Sequence, residues 1–176
     1  MRFLTALVLA AFALSIAACG GDDDDGGGSG ADEGSAMTTE GSQALSKQEF
    51  IEQGDEICRE GNEEFERINE ELDAISGGSA SEQFAQAESI LREGADLIDA
   101  RIDDFRALDP PPEDAEVIDQ YLDGVEDQRA LLEQMADAAA AEDEQELQDV
   151  SERLDQVAAE RRGIAQGYGF EDCGGQ

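Results

Sequence analysis

The sequence predicts an all-α fold, an up-down-up-down four-helix bundle with a C-terminal tail, preceded by a signal peptide and a disordered linker. Three observations carry that reading. Between Leu45 and Gln176, four stretches repeat apolar residues at spacings of three and four, the period of one helix face. None shows the period-two alternation of a half-buried strand. Helix-start and helix-stop chemistry falls between the first stretches, as two Ser-x-x-Glu boxes, a Gly-Gly pair and a triple proline.

The chain opens with one basic residue, Arg2, and an apolar run from Phe3 to Ala18 interrupted only by Thr5 and Ser15. That is the pattern of a secretory signal. A transmembrane helix wants about 20 apolar residues and a basic flank; this run is shorter and is followed by acid. Residues 1–18 are therefore expected to be removed. The run ends in Ile16-Ala17-Ala18-Cys19, which resembles the bacterial lipobox. The resemblance implies that the Cys19 thiol receives a diacylglyceryl group and becomes the first residue of the mature chain, bearing fatty acyl chains such as palmitate. Two or three acyl chains, at about 0.8 kcal/mol per buried methylene, hold a protein firmly on a membrane.

Residues 19–44 read as a lipidated cysteine and a flexible acidic linker. From Gly20 to Ala44 there are eight glycines and seven acids, with no apolar side chain larger than Met37. Such a stretch cannot bury enough surface to offset its ordering entropy. As a Gly-rich coil it would reach roughly 25–30 Å, and its charge repels anionic headgroups. A calcium loop in the same acids fails, because setting Gly26 at the sixth position of an EF-hand puts Gly21 where the first ligand belongs.

Residues 45–176 form the expected bundle domain. The first helix opens at Ser46-Lys47-Gln48-Glu49, a capping box, and carries Phe50, Gly54, Ile57, Gly61, Phe65, Ile68, Leu72 and Ile75 on one stripe before Gly77-Gly78 ends it. Ser79-Ala80-Ser81-Glu82 is a second capping box, and the stripe behind it runs from Phe84 through Leu91, Ile98 and Ile102 to Phe105. Asp109-Pro110-Pro111-Pro112 stops that helix, because prolines lack the amide proton and bias the preceding residue away from helical angles. Two further stripes follow, from Ile118 to Ala139 and from Leu147 to Tyr168. Four amphipathic helices with short connections pack as a bundle in which each stripe is buried by the other three. Two coiled-coil hairpins, or a dimer, would show the same stripes.

The chain also resembles the small secreted or lipid-anchored helical proteins common in actinobacteria. The shared features are the lipobox, the tether, an opening helix running from Phe50 to Cys58, the Leu-x-Pro-Pro-Pro turn at Leu108 to Pro112 and the ending Gly169 to Gly174. That resemblance implies a fold and an extracytoplasmic, lipid-anchored location. It implies no mechanism.

Composition excludes several function classes. A formal charge of −34, with ten arginines, Lys47 and no histidine, repels nucleic acid. Without histidine there is no general acid-base group near neutrality and no Glu-x-x-His di-iron pair. No Gly-x-Ser-x-Gly elbow or Walker loop is present. No catalytic residue, metal site or cofactor is expected. The expected function is that of a membrane-anchored, non-catalytic envelope lipoprotein whose partners are the membrane, through its anchor, and an envelope protein or cell-wall component. The alternative is a carrier of a small ligand or cation, using the bundle interior or the acidic faces.

Two sets of residues mark candidate sites. Arg129 and Arg161 occupy stripe positions in the third and fourth helices, and arginine forks match carboxylate or phosphate. Either they face a common interior pocket for an anionic ligand, or each runs along a helix seam and pairs with an acid at the rim. Once Cys19 is acylated, Cys58 and Cys173 remain, which is the arithmetic of one disulfide in an exported domain. The fourth helix ends where the first begins, so a tail from Tyr168 can reach Cys58. Gly54 and Gly61 flank Cys58 on nearly one line of the helix. They are expected to form a groove for the tail, with Phe170 as its apolar anchor; the alternative is that they only let two core helices approach closely.

Overall fold

The computed structural model of the chain describes residues 44–174. The expected signal peptide, Cys19 and the expected linker up to Gln43 lie outside the described residues. The four helices are α1 (Lys47–Asp73), α2 (Ala80–Ala107), α3 (Ala115–Ala140) and α4 (Glu144–Tyr168), and no strand occurs among the described residues. The all-α four-helix bundle is thus as expected.

Both capping boxes form. Ser46 Oγ accepts from the Glu49 backbone N–H, and the Glu49 carboxylate accepts from the Ser46 backbone N–H at 3.0 Å. Ser79 and Glu82 repeat the arrangement at the start of α2. Asp143 caps α4 by accepting from the N–H groups of Gln145 and Glu146. At Asp114, before α3, the side chain makes no cap. Its Oδ2 instead accepts the Tyr168 hydroxyl at 2.9 Å, so a residue placed to start one helix secures the end of another.

The closest packing is between helices consecutive in the chain. α1 packs on α2, α2 on α3 and α3 on α4, while no Cα of α1 lies within 8 Å of one in α4. The α1 and α4 backbones therefore stand further apart, and the two helices meet through side chains, Phe50 against the Tyr168 ring at 6.1 Å and Lys47 Nζ 4.1 Å from the centre of that ring. Their seam is filled at one end by the segment after α4. Gly169 turns that segment with φ 117°, a left-handed angle that glycine adopts without steric cost. The N–H groups of Gly169 and Phe170 both bond the carbonyl of Ala165, and Phe170 is directed back into the core.

Phe170 joins Phe50, Phe105, Tyr121 and Tyr168 in one aromatic cluster, with ring centroids 5.0–6.5 Å apart. Offset and edge-on pairs in this range add about 0.5–1.5 kcal/mol each beyond the area they bury. At the same end Leu45 N–H bonds the Asp109 carbonyl at 2.8 Å, tying the start of the domain to the proline turn.

Candidate functional site

The region with the densest polar chemistry lies where the tail meets α1. Cys58 and Cys173 stand at disulfide distance, S–S 2.09 Å and Cα–Cα 5.0 Å, and both are buried. The pairing expected from cysteine arithmetic is the one present. Three residues before Cys58, the Asp55 carboxylate accepts the consecutive backbone N–H groups of Glu171, Asp172 and Cys173 at 3.0, 2.8 and 3.2 Å. Asn62 Nδ2 donates to the Asp172 carbonyl and Gln166 Nε2 to that of Gly174. A charged acceptor facing three successive amides is a strong local clamp. Nothing in the periodicity of α1 marks Asp55 for this role; the only signal was its position one turn before Cys58.

The groove at Gly54 and Gly61 is half as expected. A Cβ on Gly54 would stand 2.6 Å from Cε1 of Phe170, so Gly54 does receive the tail's anchor. Gly61 does not receive the tail. A Cβ there would run into the guanidinium of Arg101, which reaches across from α2 and lies over the Phe65 ring, 5.4 Å from its centroid. The two glycines make two notches with different occupants.

The two arginines singled out from sequence part company. Arg129 is at the rim: its Nε lies 2.5 Å from Asp99 Oδ1, as an ion pair rather than an aligned hydrogen bond, and its Nη2 lies 2.9 Å from Glu133. The Asp99 carboxylate beside it is the main reason its pKa is raised. A common interior pocket for Arg129 and Arg161 is therefore not what the fold builds. Arg161 is buried, 7% exposed. Its Nη1 donates to Tyr121 Oη at 3.3 Å and reaches the Cys173 carbonyl at 3.5 Å.

Its interior companion is Arg101, also 7% exposed. Sequence reasoning passed over it, although a signal existed: Arg101 follows Ile98 by three and precedes Phe105 by four, the spacing of the α2 stripe. Burial lowers the pKa of the Arg101 guanidinium, and the like charge of Arg161 acts in the same direction against the opposing influence of Tyr121. Burial also pushes the Tyr121 hydroxyl up, against the fields of Arg161 and Arg101. Tyr121 stands between α1 and α4, with its Oη 3.4 Å from Cys58 Sγ.

No family model matches the chain, nor does any curated protein or solved structure. The site must be interpreted from its own chemistry. Among the described residues no group of three His, Cys, Asp or Glu is arranged to hold a metal ion, and no helix is long and apolar enough to cross a membrane. The best-formed surface depressions are two. One lies beside the clamp, over Lys47, Ile51, Asp55 and Gly169; the other lies between α2 and α3, over Asp103, Arg106, Glu126 and Arg129. Neither includes Arg101 or Arg161.

Proposed function

We propose that the chain is an exported lipoprotein, held by acyl chains on Cys19 to the outer face of a membrane and presenting a non-catalytic helical bundle at the end of an acidic tether. The bundle is a binding or surface module of the cell envelope, and its partner there is a protein or a cell-wall component. The observation that carries this reading is the Cys58 to Cys173 pair at disulfide distance, because disulfides persist in oxidising compartments outside the cytosol. It joins the apolar run and the lipobox-like Ile16 to Cys19 ahead of it. The many exposed acids read as a solvated surface, which suits a domain that must stay soluble beside a membrane.

Cells fed a radiolabelled or clickable fatty acid test the anchor directly. The wild-type chain is expected to take up label and to sediment with membranes. Cys19→Ala is expected to take up none, and either to appear in the medium or to accumulate as unprocessed precursor. Equal labelling of both chains would overturn the proposal. A second reading, carriage of a small ligand by the bundle interior, is favoured by one observation, the two buried arginines, Arg161 beside Tyr121 and Arg101 against Gly61.

A further inference from the structure

Arginines 59, 67, 92, 106 and 129 each pair with at least one carboxylate, as expected in a chain with 45 Asp and Glu. The two buried arginines have no carboxylate within ion-pair reach among the described residues. Nε and Nη2 of Arg101 and Nε of Arg161 are buried without a hydrogen-bond partner there. A buried charge is costly unless it is paired. A buried carboxylate can escape that cost by taking up a proton. Guanidinium cannot shed one at any physiological pH, so Arg101 and Arg161 both stay cationic in the interior, where the charge of Arg161 acts on Arg101.

An anion would satisfy these donors and offset both charges. We infer that Arg101 and Arg161 form a binding site for a small oxyanion, a phosphate- or carboxylate-bearing molecule, at the point where the tail ends and the seam between α1 and α4 begins. Nε and Nη2 of Arg101 lie on one edge of the guanidinium, the pair of parallel donors that grips two oxygens of a carboxylate or phosphate. That edge rests against Gly61, where a Cβ would obstruct it, so gripping an anion requires the Arg101 side chain to leave this notch. Arg161 is already positioned, through Nη1 on Tyr121 Oη and the Cys173 carbonyl, which leaves its Nε as a donor. The route in is the seam between α1 and α4, where no Cα of one helix lies within 8 Å of the other. Arg129 has no part in the site. This inference deepens the carrier reading and is independent of the anchor at Cys19, so a failure here leaves the labelling result untouched.

The test is calorimetric titration of the purified full chain with inorganic phosphate and, separately, with succinate, at constant ionic strength made up with sodium chloride. Wild type is expected to bind at least one probe saturably at one site. Arg101→Gln and Arg161→Gln are each expected to weaken that binding tenfold or more, and Arg129→Gln to leave it unchanged. Melting curves establish that each variant folds; where a glutamine variant does not, Arg101→Lys or Arg161→Lys replaces it, keeping the charge and losing the paired donors, with the same threshold. Absence of saturable binding of both probes by wild type, or a loss smaller than tenfold in the variants, overturns the site. Which probe binds distinguishes a phosphate ligand from a carboxylate one.

Discussion

At the end of the bundle where α1 begins and α4 finishes, five aromatic rings, the Cys58 to Cys173 pair and the Asp55 clamp lie within a few turns of one another. At the opposite end, beyond Asp73 and around Glu142, the apolar residues are smaller or only half-buried: Leu72, Phe84, Leu147 and Leu154 pack against the core without being enclosed by it. Polar contacts there are exposed, such as Ser81 Oγ to Glu142 and the Arg92 to Asp137 ion pair, and exposed pairs contribute little. The two ends share the same four helices and the same kind of helix cap. What separates them is the returning tail. An amphipathic stripe makes a helix adhere; a segment that fills the seam fixes how the helices close.

The largest expected effect comes from opening the tail. The sequence separation of 115 residues between the two cysteines corresponds to about 4–5 kcal/mol in the chain-entropy account. Reduction, or the Cys58→Ala/Cys173→Ala pair, should lower the melting temperature sharply, and amide exchange should accelerate first at the aromatic end. Uniform acceleration along all four helices would show that the ends are not distinct.

A paired substitution sharpens the same contrast. Phe170→Ala removes a ring that is 3% exposed and should cost about 3–5 kcal/mol. Leu147→Ala, at the half-buried opposite end, should cost well under half of that by denaturant melting. Equal losses would place the stabilising core elsewhere than in the tail notch.

The smallest effect is a control in which the ends should agree. The Glu49 carboxyl is held below its ordinary value of 4.5 by the Ser46 hydroxyl and backbone N–H, and that of Glu82 by the Ser79 backbone N–H and hydroxyl. Each folded-state pKa is depressed, so each cap's contribution is present above the unfolded value and is lost as pH falls through the folded one. Amide protection, corrected for the intrinsic exchange rate, at the first turns of α1 and α2 should fall together as pH drops below 4.5. Fraying of one start without the other would mean that the caps are coupled to the unequal packing behind them.

The helices were legible because their periodicity and capping boxes are local signals; Ser46, Ser79 and the proline stop fell where the sequence placed them. The cysteine pairing was legible because two thiols admit one partner each. The arginines were not separable by spacing, since Arg129, Arg161 and Arg101 all sit at stripe intervals. Their fates depend on what the neighbouring helix offers. Asp99 and Glu133 draw Arg129 to the rim, whereas the notch at Gly61 admits Arg101 inward. Asp55 and Asp114 were equally silent, because their partners, the tail amides and Tyr168, lie 116 and 54 positions away.

The clamp at Asp55 also sets an order of assembly. The hairpins α2–α3 and α3–α4 can form from contacts between chain neighbours, which are made quickly. The inner face of α1 around Gly54 is completed by Phe170, which lies far along the chain, and bringing such distant segments together costs about 4 kcal/mol of closure entropy for a loop of this length. A chain growing from its N-terminus therefore carries an incomplete first helix until the segment after α4 has been made. The fastening step waits for that segment, and a product cut just after α4 would keep every helix and lose the element that locks the first of them in place.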